Sequence, residues 1–154
     1  MNTNYEKDFV PYEQALALKE LGFDEPCFGR YYYKESYPML NPQSEETELV
    51  FEFGQYIKQT KVTILAPLYQ QAFRWFREKY GLRNSITDFI DDETGIEWDY
   101  EIAIIGTDVD EKGNYNPIVD YSTDDETRKF KTYEEAELAC LKKLIELTFK
   151  TKNK

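Results

Sequence analysis

The chain is expected to fold as an α+β domain: an antiparallel β-sheet with about three helices packed against it. Three observations carry this. Stretches with helical spacing and helix stop signals alternate with stretches that repeat every second residue. The strand-like stretches come in hairpin-like groups with short polar turns, which antiparallel pairing allows and parallel crossovers do not. Aromatic residues make up 16% of the 154 positions, with 13 Tyr and 10 Phe, enough rigid ring surface to specify a core. The length argues for one domain over residues 1–154, with 1–8 and 150–154 frayed.

The first element begins after Val10. Pro11 suits the first helical position and Gly22 the position just past the end, so PYEQALALKELGF reads as a short helix. Asp24-Glu25-Pro26 breaks it. Cys27 to Lys34 reads as an aromatic strand with a bulge at Gly29, and residues 35–47, with two prolines, as a loop. In Glu48–Phe53, Leu49, Phe51 and Phe53 alternate on one face, and Gln55–Ile64 supplies more strand.

The central element is Ala66 to Leu82, APLYQQAFRWFREKYGL. Pro67 and Gly81 mark its two ends. Tyr69, Phe73, Phe76 and Tyr80 form a ring stripe at helical spacing, with Leu68, Ala72 and Trp75 beside it. Gln70, Arg74, Arg77 and Glu78 take the wetter side. Beyond it, Ser85–Ile90 and Glu97–Ile105 read as strands about a DDETG turn. Trp98, Tyr100, Ile102 and Ile104 share one face of the second strand, and Glu97, Asp99 and Glu101 the other. Gly106–Asn114 is expected to be a polar turn, Tyr115–Tyr121 a partner strand, and Lys129–Lys131 a short strand. The last helix runs from Thr132 to Phe149. Thr132 and Glu135 form a capping box, and Ala136, Cys140, Leu144 and Leu147 its apolar line.

Composition excludes several chemistries. The chain has no histidine, which removes Ser-His and Cys-His nucleophile pairs, histidine-ligated metals and a histidine base. Cys27 and Cys140 are expected to be two buried reduced thiols, without a disulfide or a zinc site. No cofactor, metal or catalytic residue is indicated, and no phosphate-binding glycine loop or nucleophile elbow occurs. DVDEKGNYNPIV (Asp108–Val119) starts like a calcium loop, but Lys112 sits inside it and Val119 replaces the bidentate glutamate. It reads as a glycine-containing turn. Asp91, Asp92 and Glu93 read as a solvated turn as well.

Charge is unevenly placed. Residues 83–128 hold 14 Asp/Glu against 3 Lys/Arg, which accounts for the whole net charge of −11. No basic footprint supports direct binding to duplex nucleic acid. No stretch approaches the ~18 apolar residues of a membrane helix, and MNTNYEKDFVPYE lacks a signal-peptide layout. A cytoplasmic protein without membrane association is expected.

Three stretches, FVPYEQALALKELGFDEPCFG (Phe9–Gly29), LAPLYQQAFRWFREKYGL (Leu65–Leu82) and TYEEAELACLKKLIEL (Thr132–Leu147), resemble segments of small uncharacterised proteins of phages and mobile elements of gut bacteria. In that group the segments recur in the same order around a variable middle. The group has no assigned activity, so the resemblance implies no site residue. It implies a setting: an accessory protein inside a bacterial cell.

Two surfaces then carry the functional expectation of a non-enzymatic, counter-defence binding protein. The carboxylates of Glu97, Asp99 and Glu101 form a strip that meets a host protein with a basic surface. Alternatively, Arg74, Trp75 and Arg77, with Arg30 on a facing wall, stack and grip a small nucleotide-type ligand. A small enzyme using carboxylates or Tyr and a structural subunit forming a homo-oligomer are the competing classes.

Overall fold

The computed structural model describes residues 4–33, 47–51, 57–58, 63–109, 111–113, 115–121 and 129–152. Among these the architecture is α+β, as the sequence predicts, but the strands form two three-stranded antiparallel sheets. Contacts divide the chain into two units, Met1–Tyr69 and Gln70–Lys154.

The first unit holds a 3-10 helix (Asn4–Asp8), helix α1 (Tyr12–Leu21) and strands β1 (Gly29–Tyr33), β2 (Thr47–Phe51) and β3 (Ile64–Ala66), in sheet order β2-β1-β3. Pro11 is the residue before α1, in extended conformation, instead of its first helical residue. Gly22 ends the helix with φ +92, its N–H shared between the carbonyls of Leu18 and Lys19. Phe23 N–H bonds back to Leu18 O at 2.9 Å, which satisfies the end carbonyls and buries Phe23 beside Leu18.

Gly29 is not a bulge. Its pairing to Phe51 on one side and Ala66 on the other is in step with the residues that follow. Its role is close approach: a Cβ there would stand 2.8 Å from the Phe9 ring and 3.1 Å from Ala66 O. Tyr31 donates its hydroxyl to Val10 O at 2.8 Å, pinning the entry to α1. Of the strand expected over 55–64, Ile57 makes a backbone bridge with Cys27. Lys34 of the expected strand, residues 35–46 of the expected loop, and Phe53 and Gly54 lie outside the described residues.

Helix α2 (Tyr69–Tyr80) starts three residues later than its sequence suggests. Ala66 pairs with Gly29, and Pro67 O accepts the Val10 N–H at 2.9 Å. Those backbone groups are committed to the first unit, so the helix can begin only beyond them. Gly81, at φ +68, closes α2 with its N–H on Arg77 O at 3.1 Å. Tyr69, Ala72, Phe73, Trp75 and Phe76 are all buried, so both apolar lines of the helix belong to the core.

The second unit continues with β4 (Leu82–Asp91), β5 (Gly95–Val109), β6 (Tyr115–Tyr121) and α3 (Tyr133–Lys152), in sheet order β4-β5-β6. Strand β5 runs into the segment expected to be a polar turn. Register shifts after Ile104 and Ile105 absorb the irregularity there, and Gly113, at φ +82, belongs to the short turn that remains. Pro117 lies on β6, at a sheet edge, where a missing N–H is tolerated. Of the short strand expected at 129–131, Phe130 alone pairs, bridging Trp98.

Helix α3 lies against β5 and β4. Ala136, Cys140, Leu141, Leu144 and Leu147 are buried along it, facing a sheet surface that buries Leu82, Tyr100 and Ile102. Thr132 Oγ1 accepts the Glu135 N–H at 3.2 Å. The Glu135 carboxylate, however, accepts from Lys131 N–H, one residue earlier than the reciprocal capping box predicts.

Candidate interaction surface

The β4–β5 hairpin brings the acidic segment into order. Ten consecutive residue pairs, from Leu82↔Ile104 to Asp91↔Gly95, hold the two strands in register. Strand alternation sorts them into two faces. One face carries Leu82, Ile86, Tyr100 and Ile102 toward α3. The other carries Ser85, Thr87 and Phe89 opposite Glu101, Asp99 and Glu97. The three carboxylates expected on one side of β5 do share a face.

They are not equivalent. Glu97 accepts from Thr94 Oγ1 and lies 3.3 Å from Lys129 Nζ. Asp99 accepts the N–H of Tyr100 at 2.7 Å. Glu101 is exposed, with the Ser85 hydroxyl 3.4 Å away. The strip is therefore tied down at the hairpin tip and open at its Glu101 end.

Lys129 is the residue that sequence reasoning missed. Its ammonium stands 3.3 Å from both Asp91 and Glu97 and 5.5 Å from the Phe89 ring centroid, and these carboxylates raise its pKa. It reaches them because Phe130 bridges Trp98, a pairing across more than thirty positions that no local pattern announces.

Asp91 is a structural acceptor. Its Oδ1 takes the N–H groups of Glu93 at 2.9 Å and Thr94 at 3.0 Å, fixing the turn in the manner of an Asx motif. These bonds, then the Thr94 hydroxyl and Lys129, pull the carboxyl down to about 2. Because the folded value lies below the unfolded one, Asp91 supports the hairpin above the ordinary aspartate range. That support is lost as pH falls through about 2. The Thr94 amide resonance should therefore hold steady from neutrality to about pH 4 and shift only toward pH 2. In Asp91→Asn that low-pH step should vanish. A midpoint in the ordinary aspartate range would contradict the turn assignment.

The second expected surface does not assemble as the sequence suggests. Arg74 and Arg77 are exposed on α2, but Trp75 is only 4% exposed. Its ring is edge-packed against Phe76 at 5.1 Å and Tyr80 at 5.3 Å, with Lys79 Nζ 4.8 Å from its centroid. A base cannot stack on a ring already enclosed on those sides. Arg30 lies on β1 in the first unit, half-buried. Tyr31, from the same strand, is held by its bond to Val10, and burial pushes its hydroxyl up to about 12.

Neither family models, nor curated proteins, nor solved structures yield a match to this chain. Among the described residues, no helix is long and apolar enough to cross a membrane.

Proposed function

We propose that this chain is a non-enzymatic binding protein of phage or mobile-element origin. It acts in the bacterial cytoplasm as a counter-defence factor, occupying the basic surface of a host protein through the acidic face of the β4–β5 hairpin. The observation that carries this reading is the placement of Asp99 and Glu101 on one regular strand face, with Glu101 exposed. The chain's entire excess of negative charge lies in the segment that contains them. Such a face speeds encounter with a cationic partner and suppresses wrong ones more than it sets final affinity.

The competing readings draw less support. A nucleotide-type ligand loses its stacking platform with the burial of Trp75. A carboxylate enzyme centred on Asp91 would need a group able to take up a proton near neutrality, whereas that carboxyl is drawn down to about 2. The tyrosines Tyr31 and Tyr133 are shifted upward by burial, away from use as bases.

The test is capture of bacterial proteins on the immobilised chain, followed by association kinetics with the retained partner. Reversing two charges of the strip, Asp99→Lys with Glu101→Lys, should slow association by about tenfold or more at low ionic strength. Raising salt should slow the unaltered chain in the same way. Salt-insensitive association, or normal association by the reversed variant, would exclude the acidic face as the contact.

A further inference from the structure

We propose that the outer edge of β4, over Thr87–Asp91, takes up an extended cationic segment of a partner protein as a fourth strand of its sheet. The inference rests on the acidic-face reading and adds how the partner is held.

Strand β4 is the outermost of its sheet, and it pairs with β5 over ten residues without a bulge. Among the described residues, neither strand nor isolated bridge lies along its other side. An edge of this kind presents a row of N–H and C=O groups that a further strand can satisfy. Burial marks where it is open. From Leu82 to Thr87 exposure rises and falls along the strand, but Thr87, Asp88, Phe89 and Ile90 are exposed in succession. Both faces of this half are therefore open, apart from the Lys129 ammonium that stands near Phe89 and Asp91 on the carboxylate face. Ile90 is 79% exposed and Ile96, directly opposite, 60%. They continue the apolar face that α3 covers further along, beyond the reach of its first turn, where Tyr133 packs on Trp98.

Three of the usual guards of a free edge are missing. This half of β4 has no proline, no lysine and no bulge. Its charges are Asp88 and Asp91, and Asp91 is occupied by the turn. Asp88 is exposed. Antiparallel pairing of two β4 edges would bring like carboxylates together on chains of net charge −11 each, which disfavours a second copy. The same charges favour a cationic strand. Alternation gives its pattern: basic side chains over Thr87 toward Asp99 and Glu101 on one face, and on the other apolar side chains beside Ile86 and Ile90, with Asp88 between them.

The probe is an octapeptide of alternating lysine and valine. Beside it stand the glutamate–valine counterpart and the lysine–valine sequence with every backbone amide N-methylated. Binding is read by fluorescence anisotropy, and amide exchange is followed at Thr87–Asp91. The lysine–valine peptide should bind and slow exchange along β4. N-methylation keeps charge and apolar surface but removes the ladder donors, so it should weaken binding by about tenfold or more. Equal binding by the N-methylated peptide would overturn edge pairing and leave the acidic-face reading standing. Equal binding by the glutamate–valine peptide would overturn both. Absence of lysine–valine binding overturns the edge assignment, as does a dimer in sedimentation whose β4 amides are protected.

Discussion

Replacing Phe76 by alanine should destabilise the second unit by about 3–5 kcal/mol, the range for deleting a fully buried ring. Phe76 is 0% exposed and is flanked on its own helix by the Trp75 and Tyr80 rings. Those rings are held by α2 and cannot collapse far into the space left behind, so the cavity term adds to the lost transfer free energy. A loss of this size is a large fraction of the stability of an ordinary domain. Both tryptophans of the chain, Trp75 and Trp98, lie in the second unit, so denaturant unfolding followed by tryptophan fluorescence reports that unit. Arg77→Ala, on the exposed side of the same helix, should fall within about 0.5 kcal/mol of the unaltered chain. Equal effects of the two substitutions would mean that the ring stripe is not a core.

The thiols should be almost inert in the folded chain. Cys27 and Cys140 are free and buried. Burial, then the nearby Glu137 carboxylate, pushes the Cys140 thiol up from 9.0 to about 12. Since the thiolate is the reacting species, that shift alone lowers the reactive fraction by about 10³ at neutral or mildly basic pH. Cys27 is 0% exposed and its Sγ lies 3.2 Å from Glu25 O as a donor. A disulfide-exchange reagent should therefore label neither thiol on the timescale of a free cysteine, and should label both once denaturant unfolds the chain. Fast labelling of Cys140 under native conditions would show that α3 opens readily from its sheet. The result also bears on function, because a thiol held neutral in this way is no nucleophile.

How much was legible in advance follows from the range of the forces involved. Local signals agree with the structure at several positions where one residue decides them. Gly22 and Gly81 end α1 and α2 because each adopts positive φ, and Thr132 caps α3 through its own hydroxyl. The stripe Ala136, Cys140, Leu144 and Leu147 is buried as its spacing requires. The faces of β5 were legible for the same reason: alternation follows from the pleat and needs no partner to be known.

Errors arose where a distant backbone competes. Ala66 and Pro67 have helix-start character, but Gly29 and Val10 claim their backbone groups. Gly29 carries the signature of a bulge, yet it is small because Phe9 and Ala66 crowd it. Trp75 is buried where its place on the helix suggests a free edge, because a helical wheel shows angular position but not what occupies each side.

The sequence by itself determined an α+β chain without histidine chemistry, the glycine-closed ends of α1 and α2, and a segment that concentrates all the excess negative charge. Those properties belong to composition, to periods of two and 3.6 residues, and to single residues with special backbone freedom. Only the tertiary structure divided the strands between two sheets. It also enclosed Trp75, brought Lys129 to Asp91 and Glu97, and left the far half of β4 open beside a carboxylate face. Each of these depends on which segments, far apart in the chain, satisfy one another's hydrogen bonds and cover one another's apolar surface.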